Sequence, residues 1–238
     1  MNPESRPSLI LLPGLLCDHA LWEPQIGALS DVCVPWVADL TRDDSFASMA
    51  ARVLTDATSE QFALAGLSMG GYVAMEIMWQ APERVTRLAL LDTRATLDTS
   101  EETARRHEMM RLARTERGFT PITTRMLPLL IHPARAKDEP LVRVIRDMAE
   151  RIGVEAYLRQ QNAILSRPDF RPLLPRIDCP TLVLCGREDV LTPLERHEEM
   201  VRLIPTARLA IIEQCGHLST LERPYEVNVA LRDWLAGP

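Results

Sequence analysis

Residues 66–71 read "GLSMGG", directly after the apolar run "FALA" (62–65) and directly before "YVAMEIMWQ" (72–80). A serine between glycines adds little to a core. The run before it reads as a strand and the stretch after it as a helix. A strand that turns straight into a helix forces its turn residue into a strained backbone conformation. Gly66 and Gly70 keep side chains out of that crowded turn, and Gly71 lets the helix lie close to the strand. The spacing G-x-S-x-G in this context predicts a nucleophile elbow, with the Ser68 hydroxyl aimed from the sheet edge toward the free N–H groups of the next helix.

Outward from this turn, short apolar runs alternate with helical patterns. "SLILLPG" (8–14), "VCVPWVADL" (32–40), "QFALAGLS" (61–68), "VTRLALLDT" (85–93), "PTLVLCGRED" (180–189) and "ARLAIIEQC" (207–215) read as strands. Several are apolar at successive positions, which fits strands covered on both faces in a parallel sheet. Phe46, Met49, Ala50, Val53, Leu54 and Ala57 form one helical stripe, and Val227, Leu231, Trp234 and Leu235 form another. In "TPLERHEEMVRLIP", Thr192 as N-cap, Pro193 at N1 and Glu195 at N3 predict a capped helix. This alternation predicts an α/β fold with three layers. Residues 94–178 break the rhythm, because they carry helical patterns and no convincing strand. Ser100 reads as an N-cap and Gly118 as a helix stop, and seven prolines between 121 and 175 cut the stretch into short helices. The expected organisation is a core of residues 1–93 and 179–238 with a helical cap inserted over 94–178.

The composition narrows the function classes. The chain has 238 residues, 46% of them apolar, enough for one sizeable core. Its formal charge is −6, and Lys137 is its only lysine. No basic face is evident, so no nucleic-acid partner is expected. The five cysteines, Cys17, Cys33, Cys179, Cys185 and Cys215, are odd in number and lack metal-ligand spacing. They suggest a reducing compartment. No stretch has the length of a membrane span or the pattern of a signal peptide, so a cytoplasmic location and no membrane partner are expected.

A serine hydroxyl needs a base within hydrogen-bond reach, and the base needs an orienting acid. An elbow serine predicts the chain order Ser, then Asp or Glu, then His. Of the five histidines, His19 precedes Ser68, His107 and His132 lie in the helical stretch, and His197 sits beside Arg196 and Glu198 as if on a solvated helix face. His217, in the loop "EQCGHLSTLERP" after the last strand, is the candidate base. Asp189, in "LCGREDVLTP" at the end of a strand, is the candidate acid. Its rival is Asp92 in "LLDT", and the adjacent Glu188 should point the other way.

"GLSMGG", "GREDVLTP" and "CGHLSTLERP", in that order, resemble the α/β-hydrolase fold family, in its branch of bacterial serine esterases with a helical cap. The resemblance runs from residue 8 to the end and implies Ser68, Asp189 and His217 as nucleophile, acid and base. It identifies "LLPGLLCDHALWEPQ" (11–25) as the oxyanion loop, with Leu15 or Leu16 supplying one backbone N–H and Met69 the other. The usual fold of that family opens with an extra antiparallel hairpin, and seven residues leave no room for it. A sheet of roughly six mostly parallel strands is therefore expected. The pocket wall is read as apolar, from Leu15, Leu16, Trp22, Met69, Leu191 and Leu218, with Met126, Leu130 and Ile131 from the cap. Such a wall favours small to medium acyl or aromatic esters, cleaved through an acyl-enzyme without metal or organic cofactor. The same residues leave thioesters, lactones, diketones and perhydrolysis open, and a non-catalytic ligand-binding protein as the reading from a different class.

Overall fold

The computed structural model describes residues 6–115 and 120–237. Six strands, β1 (Ser8–Leu12), β2 (Val34–Val37), β3 (Phe62–Leu67), β4 (Val85–Leu91), β5 (Thr181–Gly186) and β6 (Ala207–Ile212), form one sheet in the order β2-β1-β3-β4-β5-β6. Every neighbouring pair is parallel. Each run of the sequence read as a strand contains one of these strands.

Both faces of the central strands are apolar, and each face meets its own layer. Ile10, Leu12, Leu64, Leu88, Leu90 and Val183 face Met49, Val53, Val73 and Ile77. Those four belong to α2 (Phe46–Asp56) and α3 (Met69–Gln80); α1 (Glu23–Leu29) lies on the opposite face. There Leu9, Leu11, Ala63, Ala65, Ala89, Leu182 and Leu184 pack with Leu29, Val227, Leu231 and Trp234. Burying each leucine of this kind contributes about 1.5–3 kcal/mol, which fixes strand register as well as stability. β3 and β5 are buried throughout, whereas the edge strands β2 and β6 are partly exposed.

Between β4 and β5 the described elements are helical: α4 (Ser100–Thr115), α5 (Thr120–Leu130) and α6 (Glu139–Ser166), the last broken at Gly153, where φ is 74°. The structure shifts two caps by one residue. Thr99 rather than Ser100 caps α4: its hydroxyl accepts from Glu102 N at 3.2 Å, while Glu102 Oε2 accepts from Thr99 N at 2.8 Å. That is a reciprocal capping box displaced by one position. The expected stop at Gly118 lies outside the described residues. After β5, α7 (Leu194–Leu203) has Pro193 at its N-cap with no side-chain bond, because the Thr192 hydroxyl is turned to Asp189 instead. After β6 come a single turn, α8 (Ser219–Glu222), and α9 (Pro224–Ala236). Among the described residues, no helix is long and apolar enough to cross a membrane.

Candidate active site

Ser68 sits between the last residue of β3 and the first of α3, at φ 55° and ψ −115°. For a residue with a side chain this backbone costs about 1–3 kcal/mol and persists only where the surroundings enforce it. Here its N–H donates to Leu91 O at 2.9 Å, and its carbonyl accepts from Gly71 N at 2.9 Å and from Thr93 Oγ1 at 2.8 Å. A Cβ on Gly66 would strike the Gly70 carbonyl, and one on Gly70 would strike the Leu12 carbonyl. The glycines of the motif are thus required by close backbone approach, and the hydroxyl is left at the carboxyl edge of the sheet.

Two other strand ends bring partners to that edge. His217 follows β6, and Asp189 follows β5. His217 Nε2 lies 2.8 Å from Ser68 Oγ, and His217 Nδ1 lies 2.8 Å from Asp189 Oδ2. A carboxylate only accepts, so Nδ1 carries the ring proton and Nε2 is the acceptor toward the serine hydroxyl. Asp189 also accepts from Leu191 N (2.8 Å), Thr192 N (3.0 Å) and Thr192 Oγ1 (2.6 Å). Burial alone would raise the Asp189 carboxyl, but the His217 ring and these donors outweigh it and hold its pKa low. For His217 burial works toward a lower pKa, and the Asp189 charge overrides it, so the imidazole is raised above its ordinary value.

The loop around His217 is fixed from several sides. His217 N and Leu218 N both donate to Leu130 O, at 3.1 Å each, at the end of α5. Glu222 accepts from Gly216 N at 2.9 Å and from His132 N at 2.7 Å, and Arg135 donates to the Glu222 carbonyl. Glu188 points away from the imidazole and accepts from Cys215 N at 2.9 Å. His132 caps the short turn after α5, its Nδ1 accepting from Ala134 N at 3.1 Å.

Asp92, the rival acid, is fully buried at the end of β4 with φ 46°. Its carboxylate accepts from Gly186 N at 3.0 Å, Ser219 Oγ at 2.5 Å and Ser219 N at 3.2 Å. It therefore ties the end of β4 to the end of β5 and to the start of α8, and burial followed by the Asp189 charge pushes its pKa up to about 8. His197 corrects an expectation. It is not on a solvated face but 0% exposed, with Nε2 accepting from Thr93 N at 3.1 Å and Nδ1 against Pro193 O at 3.4 Å. Burial lowers its pKa to about 4, so it is a neutral strut between α7 and β4. The signal was its spacing to Met200 and Ile204, both on the buried face, which its charged neighbours masked.

Above Ser68 and His217 lies an open cleft. Leu15, Met126, Leu130, Leu191 and Leu218 line it. Leu16 lines a smaller neighbouring cavity and Met69 is buried under the elbow. Two expectations are overturned: Trp22 is 0% exposed and Ile131 is buried, both within the core layer that also holds Leu21 and Leu231. Trp22 ends a short turn that the chain tucks under the sheet, so its size serves packing. Nor is the wall only apolar, since Arg94, Glu102, Arg105, Arg106, Tyr72 and Gln161 line it too. These come from the segment after β4, from α3, α4 and α6, and their convergence has no local signature in sequence. Among the described residues, no group of His, Cys, Asp and Glu could hold a metal ion.

A six-stranded parallel sheet with a serine at the turn after a central strand is the frame of one family in particular. The chain belongs to the alpha/beta hydrolase family, whose model matches residues 9–230. Among its relatives is a pimeloyl-[acyl-carrier protein] methyl ester esterase of Nitrosomonas europaea, 29% identical over 92% of this chain and 91% of the other. Of solved structures, a thermophilic esterase from Thermogutta terrifontis is 30% identical, with a TM-score of 0.86 over 96% of this chain and 89% of that one. The enol-lactonase from Burkholderia xenovorans LB400 is 25% identical, with a TM-score of 0.90 over 100% of this chain and 94% of that one. Fold and relatives together indicate a hydrolase.

Proposed function

We propose that the protein is a serine hydrolase that cleaves carboxylic esters through an acyl-enzyme on Ser68. The observation that carries this reading is the unbroken hydrogen-bond chain Ser68 Oγ, His217 Nε2, His217 Nδ1, Asp189 Oδ2, with both links at 2.8 Å. As Ser68 Oγ attacks the ester carbonyl carbon, its proton passes to His217 Nε2 and the carbonyl electron pair moves onto oxygen. Asp189 keeps the ring in the accepting tautomer and stabilises the imidazolium. Collapse of the tetrahedral species breaks the C–O bond, and His217 returns the proton to the leaving alkoxide. Water, deprotonated by His217, then attacks the acyl carbon and releases the acid and the serine.

The oxyanion is held by the backbone N–H groups of Leu15 and Met69. Met69 opens α3, so its N–H has no intrahelical acceptor. Leu16 N–H is already donated to Gln160 Oε1 at 3.1 Å, which favours Leu15 as the first-loop donor. Each such donor lowers the barrier by about 2.7–4 kcal/mol. Ester-cleaving and lactone-cleaving relatives support small-molecule acyl substrates, and the same step on a lactone opens its ring.

The test is a fluorophosphonate probe combined with p-nitrophenyl acetate turnover. The parent should be labelled at Ser68 and should hydrolyse the ester, and Ser68→Ala should lose both. Turnover retained in Ser68→Ala would remove this mechanism. A parent that is neither labelled nor active would point to a ligand-binding protein on a hydrolase frame.

A further inference from the structure

One wall of the cleft is an array of guanidinium groups. Arg94, in the segment after β4, is almost wholly buried; its Nη1 donates to Glu102 Oε1 at 2.8 Å and its Nη2 to Asp98 Oδ1 at 2.5 Å. Arg106 on α4 donates from Nε to Asp98 Oδ2 at 2.5 Å and from Nη1 to Gln161 Oε1 at 3.0 Å. Arg167, just past α6, donates to Asp98 Oδ1 at 2.7 Å and stacks 4.6 Å over the Tyr72 ring. Arg105, also on α4 and exposed, lines the cleft with no ion-pair partner among the described residues. Arg94, Arg106 and Arg167 thus share two carboxylates, Asp98 and Glu102, and the cleft itself is lined by Arg94, Arg105 and Arg106 against Glu102 alone among these groups.

This balance is not that of a closed structural network. The chain as a whole is acidic, with a formal charge of −6, yet this wall carries excess positive charge. The Arg94 Nε is buried from solvent without a hydrogen-bond partner, and the exposed Arg105 lines the cleft with its guanidinium unpaired among the described residues. Such donors are stabilised by an anion that arrives with the ligand. Guanidinium groups match the planar, two-oxygen geometry of a carboxylate, and the Tyr157 and Ile164 side chains beside them reduce the water that would weaken the pairing.

We propose that this wall selects ester substrates whose acyl chain ends in a carboxylate remote from the reacting carbonyl. The inference rests on the serine-ester reading and names its substrate class. It replaces the expectation of uncharged acyl or aromatic esters, which assumed an apolar wall.

The test compares two p-nitrophenyl esters of equal chain length, the adipate monoester and the hexanoate. The adipate monoester should be favoured in kcat/KM by about tenfold or more, the scale of one charge-assisted hydrogen bond. Arg105→Gln should shrink that ratio severalfold, as should salt raised to about 0.5 M. As a second readout, adipate should protect Ser68 from the fluorophosphonate at about tenfold lower concentration than adipamide. Hydrolysis of the hexanoate with no preference for the adipate monoester, together with equal protection by adipate and adipamide, overturns this inference and leaves the serine-ester reading intact. No turnover of either ester and no labelling at Ser68 overturns both.

Discussion

Asp189→Asn keeps the outline of the side chain and changes what its two end atoms do. Oδ1 accepts two backbone N–H groups, from Leu191 at 2.8 Å and Thr192 at 3.0 Å. An amide NH₂ placed there would face two donors, so the amide oxygen takes that position. The NH₂ then occupies the Oδ2 position, facing His217 Nδ1, which sits 2.8 Å away. The imidazole must accept at Nδ1 and carry its proton on Nε2, so Nε2 can no longer take the proton of Ser68. A wrong tautomer of this kind lowers kcat by about 10⁴-fold, roughly 5.4 kcal/mol of barrier. Asp92→Asn should be far milder, less than about 100-fold. The Asp92 acceptors serve Ser219 and Gly186 rather than the ring, so its loss falls mainly on stability. The assay is kcat on p-nitrophenyl acetate at pH 8, with circular dichroism melts to show that both variants fold. A folded Asp189→Asn within tenfold of the parent would refute this reasoning, and so would Asp92→Asn proving the more harmful.

Three further outcomes follow from particular side chains. Protonated His217 cannot accept from Ser68, and its pKa is raised because the Asp189 charge outweighs burial. Activity should therefore be present above that pKa and lost as pH falls through it, with the acid limb of kcat/KM above the ordinary imidazole value of 6.5. Trp22→Ala should cost about 3–5 kcal/mol in urea melts without changing the ranking of ester chain lengths; a changed ranking at unchanged stability would place Trp22 in the cleft after all. His197 is held neutral by burial, so its contribution is full above the unfolded value of 6.5 and is lost as pH falls toward about 4. At about 1.4 kcal/mol per pH unit this interval amounts to about 3 kcal/mol. The stability gap between the parent and His197→Gln should narrow by that amount across it, and a constant gap would contradict the buried, neutral ring.

The parts of this molecule that could be read in its sequence are those governed by local rules. Strands such as β3 and β5 are buried on both faces, so their runs are apolar without interruption, and no partner need be known to see it. The elbow glycines announce a turn because no other residue fits between Gly66 and the Gly70 carbonyl. Chain order then points to His217 and Asp189 as candidates. What stayed hidden depends on partners distant in the chain. Arg94, Asp98 and Arg167 meet across about 70 residues, and nothing near any one of them says so. Trp22 in the first loop reads as pocket wall and His197 among charges as solvated, because burial is decided by the packed layers and not by neighbours in sequence. The cap positions at Thr99 and Pro193 differ by one residue from expectation, within the usual reach of terminal hydrogen bonding.

The double acceptance by the Leu130 carbonyl has a mechanical meaning. The last turn of α5 and the peptide bearing the imidazole are welded at one oxygen, and the Glu222 carboxylate clamps the next residues on each side. A displacement of that turn would drag the ring off the serine, so the turn and the ring move together. Residues 130–132 are thereby anchored by the bonds beneath them, and any rearrangement of the helices around the cleft would have to spare them.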